Sequence, residues 1–330
     1  GDKYTFAESK LSGKYENVPE LLLQAQIGTI QGRVFSRSEV TASTARLNQI
    51  LGDYGYAFSN ANAIPDVDKK ERTVAFNYFI DPGKKIYVRR INFYGNEKTK
   101  DSVMRRQLRQ FESSWYSKTR VDRSKARLSQ TQYFDSIDLE TSNVQGVTDQ
   151  IDVNFHVVER NTGKVMVGAG VSSNEGLVGT FTLSQSNFLG TGNTVTTSVS
   201  TGEVNKTYAL SYQDPYWTDD GVSRTFGAYR RDVNTTDLST ASYNTFSYGT
   251  NVDFIVPLTE YNNISFGATI DLTDIELGPF ATQEYIDYCQ NLSGNTSTND
   301  CNSDSISLSG GYGRDTRNNA QFPTAGSVFR

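Results

Sequence analysis

The spacing of apolar residues changes character once along this chain of 330 residues, near Asn161. Before that point the pattern runs strand, helix, helix, strand, strand over residues 3–81, and the same order returns over residues 85–159. The simplest account is one small α+β module written twice. Opening strands are expected over residues 4–13 and 86–96, where Gly13 and Gly95 suit a turn with positive φ. Second helices are expected over residues 38–52 and 118–131, with Ser36 and Glu39 spaced as a capping box ahead of the first. In the last strands Val74, Phe76, Tyr78 and Ile80 share one face, as do Ile151, Val153, Phe155 and Val157. Each module therefore reads as a helix pair on a half-buried sheet of about three short strands. The unpaired edges of such a sheet can add an extended peptide through backbone hydrogen bonds, or can belong to an inert spacer.

Beyond Gly163 helix signals stop and the period becomes two. Leu177, Gly179, Phe181 and Leu183 face one side, while Val178, Thr180, Thr182 and Ser184 face the other. The same split into an apolar face and a small polar face recurs around Tyr208, Leu210 and Tyr212, around Ile264, Phe266, Ala268, Ile270 and Leu272, and around Ile306, Leu308 and Tyr312. A soluble sandwich would alternate too, so the connections have to decide. At one end they are short and rich in Pro and Gly: Phe188-Leu189-Gly190-Thr191-Gly192, Asp214-Pro215-Tyr216-Trp217, Pro257-Leu258-Thr259-Glu260-Tyr261 and Phe322-Pro323-Thr324-Ala325-Gly326. At the other end they lengthen around Thr235-Thr236-Asp237 and over residues 274–303. Short inner turns and long outer loops fit a transmembrane barrel with lipid outside and a wet lumen inside. Phe188, Tyr216, Trp217, Tyr261 and Phe322 would then form an aromatic girdle at the inner interface. About eight strands are expected, with a ninth beginning near Ser327, so the chain would stop inside an unclosed barrel.

Composition narrows the class further. Tyr and Phe number 19 and 18, Cys and Met only 2 each. No apolar run nears the roughly 18 residues of a membrane helix. A net charge of -5 without a clustered basic segment argues against nucleic acid as the main partner. Gly1-Asp2-Lys3-Tyr4 lacks the marks of a signal peptide, so the chain reads as cytoplasmic or as a mature or internal fragment of an exported protein, and the interrupted barrel favours the fragment. No Ser/His/Asp order, phosphate loop or recognisable carboxylate pair is present. Asp253 and Asp271 fall on the presumed lumen face, and the single histidine, His156, lies in a module strand with an expected structural role. No enzyme, cofactor or metal site is therefore expected.

Several motifs carry a resemblance that spans the chain. They are Val88-Arg89-Arg90-Ile91-Asn92-Phe93-Tyr94-Gly95-Asn96 with Thr99 and Val103-Met104-Arg105-Arg106-Gln107-Leu108; Val158-Glu159-Arg160-Asn161-Thr162-Gly163; Asn187-Phe188-Leu189-Gly190-Thr191-Gly192; Asp214-Pro215-Tyr216; and Asp315-Thr316-Arg317-Asn318-Asn319 with Phe322-Pro323-Thr324. Together, and in this order, they resemble the family of POTRA-plus-barrel proteins that assemble outer-membrane β-barrels. The resemblance implies that residues 1–83 and 84–160 are the fourth and fifth POTRA modules, each β-α-α-β-β, and that residues 161–330 are the N-terminal half of a truncated antiparallel transmembrane β-barrel, about eight of sixteen strands.

What the resemblance implies about function is equally definite. The first barrel strand, Lys164, Val165, Met166, Val167, Gly168, Ala169, Gly170, Val171 and Ser172, would be a lateral gate that opens to accept a substrate strand. Val165, Val167, Ala169 and Val171 would face lipid; Met166, Gly168 and Gly170 would point inward, either to weaken pairing or only to fit a crowded lumen. Arg105, Arg106, Arg109 and Glu112 are expected on one helix, with Arg105, Arg109 and Glu112 near one face. That run is either a solvated surface or, by the resemblance, a docking site for a BamD-like periplasmic lipoprotein. Cys289 and Cys301, in the long outer loop, are expected to form a loop-stiffening disulfide in an oxidising compartment, with no metal. Implied partners are unfolded outer-membrane proteins, assembly-complex lipoproteins and outer-membrane lipid, with the modules in the periplasm. A TamA-like assembly factor, a two-partner secretion transporter and a passive porin are the alternatives.

Overall fold

The computed structural model describes residues 3–15, 17–173, 175–235, 243–279, 281–293, 300–317 and 323–329. It falls into two units, residues 1–160 and residues 161–330.

The first unit holds the two modules. Module one contains β1 (Thr5–Phe6), β2 (Lys10–Gly13), α1 (Glu20–Gln24), α2 (Arg37–Asp53), β3 (Asn60–Asp68) and β4 (Thr73–Asp81). Module two contains β5 (Tyr87–Tyr94), α3 (Asp101–Arg105), β6 (Ser114–Trp115), α4 (Lys118–Gln130), β7 (Phe134–Asn143) and β8 (Gln150–Glu159). In each, the last strand is central and runs parallel to the first and antiparallel to the one before it. The expected inward faces are buried: Val74, Phe76, Tyr78 and Ile80 join Phe6, Leu23, Leu47 and Leu51 in one core, and Ile151, Val153, Phe155 and Val157 join Val88, Ile91, Met104, Val121 and Leu128 in the other.

The repeat extends to backbone detail. The opening strand of module one is interrupted, and its register against β4 slips by one residue between Phe6 and Lys10. In module two the same slip falls between Val88 and Arg90 of an otherwise continuous strand. Gly13 and Gly95 have φ of 105° and 87°. A Cβ at either would fall on a backbone carbonyl of the central strand, that of Ile80 or of Val157. Both conformation and space demand glycine there.

The expected capping box is absent. Ser36 precedes α2 but accepts no backbone N–H; its hydroxyl instead meets that of Ser38 at 2.7 Å, while Glu39 is drawn to Arg46 at 3.1 Å. The ion pair removes the acid that would have closed the box. At α4 the cap comes from two sources. Ser117 accepts from the Arg120 amide at 3.3 Å, and the Asp53 carboxylate, at the end of α2 in module one, accepts from the Thr119 amide at 2.7 Å and from the hydroxyls of Thr119 and Ser117 at 2.6 and 2.8 Å. Nearby, the Ile86 amide donates to the Gly55 carbonyl at 2.9 Å, and the Lys85 ammonium lies over the rings of Tyr56 and Trp115. Burial, with Asp122 and Asp53 beside it, pushes the Tyr116 hydroxyl at this joint up to about 12.

The second unit is one antiparallel sheet of nine strands in chain order: β9 (Gly163–Ser172), β10 (Gly176–Phe188), β11 (Asn193–Thr201), β12 (Asn205–Asp214), β13 (Ser223–Asn234), β14 (Tyr243–Pro257), β15 (Asn262–Leu277), β16 (Asp300–Asp315) and β17 (Val328–Phe329). The register aligns the apolar positions on one face: Phe226, Val252, Ala268 and Leu308 lie side by side across four strands, as do Ala228, Thr250, Ile270 and Ile306. That face is open. Val171, Leu308 and Ile306 are 87%, 83% and 74% exposed, and the buried apolar side chains among the described residues of this unit are only Val204, Leu277, Cys289 and Cys301. A sandwich would bury one face of the sheet, and among the described residues no second sheet covers this one. The opposite face carries polar side chains that bond to one another, the Tyr229 hydroxyl to Asp271 across β14 and Asn251 to Asp253 along β14 at 2.5 Å.

The short turns lie at the expected end. Phe188, Trp217 and Tyr261 there are exposed, whereas Phe322, Asn318 and Asn319 of the expected girdle and motifs, and Thr236 and Asp237 of an outer connection, lie outside the described residues. A further expectation is overturned: a helix does occur beyond Gly163. The outer loop is shorter than 274–303 because β15 and β16 run on to Leu277 and back to Asp300, and between them α5 (Gln283–Ser293) packs Ile286 and Cys289 against Tyr243, Ile275, Leu277 and Cys301. The apolar spacing of Tyr285, Ile286 and Cys289 behind an acidic first turn was the available signal. Cys289 and Cys301 are disulfide-bonded, joining α5 to the start of β16.

Candidate functional site: the free edge of the barrel sheet and the edges of the modules

β9 ends the sheet. It pairs with β10 from Gly163↔Gln185 to Ser172↔Gly176, and its other edge has no partner among the described residues. Register places Val165, Val167, Ala169 and Val171 on the face of Leu183, Phe181, Gly179 and Leu177, which is the apolar one. Met166, Gly168 and Gly170 share the face of Thr182, Thr180 and Val178. Gly168 and Gly170 are both in ordinary extended backbone, so no unusual φ requires them. A Cβ at Gly168 would press the Thr180 hydroxyl at 2.6 Å, the end of a side chain, and at Gly170 it would meet nothing within 4 Å. Among the described residues, then, nothing crowds Gly170.

Side-chain bonding along β9 is uneven. At its start Thr162 donates to the Ser186 carbonyl at 2.5 Å and accepts from Gln185 Nε2 at 2.8 Å. From Val165 to Val171 the strand carries only apolar side chains and glycine, so its attachment there is the backbone ladder and one-sided packing. The two glycines leave that stretch with little side-chain packing on its lumen face.

The basic run of module two differs from expectation. α3 ends at Arg105, and residues 106–113 form an irregular turn, so Arg109 and Glu112 are not on its face. The cause lies in two buried polar side chains. The Ser124 hydroxyl accepts the amides of Arg109 and Gln110 at 2.8 and 3.3 Å, which a continuing helix would have used, and Gln110 bonds to Phe111, Ser114, Trp115 and Ser117. Arg105 and Glu112 nevertheless meet, at 3.1 Å. Arg105 also pairs with Asp101 at 2.5 Å, donates to the Ile91 carbonyl at 3.0 Å and lies over the Phe93 ring. Glu112 accepts the Ile91 amide at 2.8 Å, and that bond, outweighing partial burial and aided by Arg105, holds its carboxyl below the usual range. The Arg109 guanidinium donates to the Leu108 carbonyl at 3.1 Å.

Both modules offer sheet edges. Among the described residues β3 pairs only with β4 and carries Pro65, a residue that edge strands accommodate, and β7 pairs only with β8. An apolar cleft lined by Phe35, Val40, Ala63, Pro65 and Val67 runs between α2 and β3. Sequence reasoning missed this cleft, because its walls come from separate elements, and it missed Asp53, which reads as an ordinary helix-terminal acid. His156 stacks on Tyr94, with ring centres 4.9 Å apart.

Comparison with known proteins agrees with this geometry. Residues 187–330 match the Omp85 superfamily domain, and residues 4–83 and 86–160 match the POTRA repeat, described as surface antigen variable number repeat. The outer membrane protein assembly factor BamA of Neisseria meningitidis serogroup B is 32% identical over 330 residues, covering 99% of this chain and 41% of that protein. The crystal structure of BamA from Haemophilus ducreyi lacking POTRA domains 1-3 superposes with a TM-score of 0.80 at 30% identity, covering 98% of this chain and 62% of that one. The chain belongs to the Omp85 family of POTRA-plus-barrel proteins.

BamA of Buchnera aphidicola is a more distant relative, 26% identical over 269 residues, or 81% of this chain and 43% of that protein. The chain therefore spans about two fifths of the length of these curated relatives. As in the Omp85 family, the open nine-stranded sheet is part of an outer-membrane barrel and the POTRA pair is periplasmic.

Proposed function

We propose that this Omp85 chain is the part of an outer-membrane protein assembly factor that folds and inserts β-barrel proteins by strand addition at a lateral gate. The single observation that carries the reading is β9, the first strand of the barrel sheet: apolar toward lipid, glycine-bearing toward the lumen and carrying only apolar side chains and glycine from Val165 to Val171. A nascent barrel strand entering the bilayer has a row of unpaired backbone groups, each costing several kcal/mol in hydrocarbon. An available template edge removes that cost by hydrogen bonding with little demand on sequence. The substrates are unfolded outer-membrane proteins, the energy comes from their own folding, and no catalytic step is involved.

In this reading the edges of β3 and β7 hand extended segments toward the barrel, and the surface around Arg105, Arg109 and Glu112 receives a BamD-like periplasmic lipoprotein of the assembly complex. The ion pair alters how the docking proposal must be tested, since reversing Glu112 would also release the Ile91 amide. Arg109→Glu leaves that bond intact. Undiminished lipoprotein co-purification with Arg109→Glu and with Asp101→Lys would count against docking at this surface.

The gate is tested by placing a cysteine at Gly168 or Gly170 of the full-length protein and one along the last strand of a substrate stalled during insertion. A disulfide ladder that follows one register is expected. Absence of crosslinks from both positions, with normal insertion of the unstalled substrate, would sink the gate.

A further inference from the structure

Two arginines of β13 lie on the lipid-facing side of the sheet, one near each end. Arg230, toward the outer end, is satisfied within the protein: it pairs with Asp232 at 2.9 Å and lies over the Tyr248 ring at 5.5 Å. Arg224, at the inner end, is placed differently. It shares a face with Phe226, and register sets it opposite Phe254 on one side and Asp214 on the other. Its guanidinium carbon lies 5.0 Å from the Trp217 ring centre and 4.8 Å from that of Phe226. Trp217 packs on Phe254 at 5.5 Å, and Phe254 stacks on Phe266 at 5.2 Å, so the arginine is held by the aromatic girdle.

Its polar atoms are not matched in the same way. Nε is buried without a hydrogen-bond partner, and among the described residues the side chain forms no ion pair. Asp214, opposite, accepts the Tyr216 amide at 3.1 Å instead. Asp219 and Asp220 stand exposed in the same turn. A guanidinium carries five donors in a planar fork that matches phosphate oxygens, and at the depth of an interfacial girdle the abundant acceptor is the lipid phosphate. The three acids narrow the choice. They repel a headgroup of net negative charge and attract a cationic one that can donate hydrogen bonds.

We propose that Arg224, Trp217 and Phe226, with the acids Asp214, Asp219 and Asp220, form a binding site for a zwitterionic phospholipid bearing a primary ammonium, with phosphate at Arg224 and ammonium toward the turn. The rings fix the guanidinium at the headgroup level, where it would otherwise be drawn away from the sheet into water. Phosphatidylethanolamine has this chemistry. Phosphatidylcholine keeps the phosphate and the charge but has no ammonium donors, and phosphatidylglycerol keeps the phosphate but is anionic.

The full-length protein in nanodiscs containing the three lipids with identical acyl chains, released for native mass spectrometry, tests the site. Retention of phosphatidylethanolamine over each of the others by about fivefold is expected, the scale of one net hydrogen bond. Arg224→Gln should abolish the preference, and Asp214→Asn should move it toward phosphatidylglycerol. Heat-modifiable gel mobility checks that the variants fold. Equal retention of the three lipids by the unaltered protein, or an undiminished preference in folded Arg224→Gln, overturns the proposal. So does displacement of the retained lipid by millimolar inorganic phosphate, which would make this a phosphate site. Should Arg224→Gln not fold, the ranking in the unaltered protein decides alone.

Discussion

Glu112 serves the backbone and a side chain at once, accepting the Ile91 amide at the bulged opening strand while holding Arg105. Its carboxyl, like those of Asp152 beside Arg89 and of Glu159, which accepts the amides of Lys98 and Thr99, sits below the usual range. A depressed carboxylate contributes stability that is present above its unfolded pKa and is lost as pH falls through the folded one. Module two should therefore weaken as pH drops below about 4.3, the ordinary glutamate value. Urea titrations following Trp115 fluorescence in a Trp217→Phe background should show this, and Glu112→Gln should flatten the slope; an unchanged slope would show that Glu112 does not contribute. Gly95→Ala meets both a left-handed φ and a carbonyl, and should cost on the order of 3 kcal/mol in the same assay. The two glycines were legible because a turn at a repeated position asks for them. The turn at residues 106–113 was not, because Ser124 and Gln110, which take the amides away from a helix, look like surface residues until α4 brings one of them beneath the turn.

Among the elements, β9 invites a substitution that restores what it lacks. Gly170→Val adds a β-branched side chain where nothing stands within 4 Å. Tighter pairing to β10 and slower insertion of a reporter barrel into liposomes are the expected outcomes, with normal heat-modifiable mobility; unchanged insertion would show that release of this strand is not limiting. Asp53→Ala should cost about 1 kcal/mol through the lost cap of α4. It should also broaden the spin-label distance distribution between Lys70 and Asp138, one in each module, and an unaltered distribution would show that Asp53 does not stiffen the joint. Period alone located most elements, including the strands of the barrel sheet, because apolar and polar residues that alternate over ten or more positions separate cleanly only on the two faces of a strand. It failed at α5, a short helix among Asn, Ser and Thr whose apolar side rests on strand ends extending past the sheet's main body.

At the scale of the molecule, the two halves are stable for different reasons. The modules bury their own cores, while the barrel sheet leaves its apolar face to be covered by lipid. Ile270→Arg, on that face midway along β15, should cost about 2–4 kcal/mol in lipid, whereas Thr269→Arg on the lumen face should cost far less. Urea unfolding in lipid vesicles would distinguish them, and equal costs would mean the faces have been assigned the wrong way round. The assignment was legible from the sequence because the turns are asymmetric as well as the strands. What could not be read was the partner of each polar end, and Asp53 is the plainest instance. Because α4 takes its first cap from the module that precedes it, the two do not start folding on equal terms. A chain that emerges N-terminus first completes α2 before residues 117–119 arrive, so the finished module offers the next helix a place to begin.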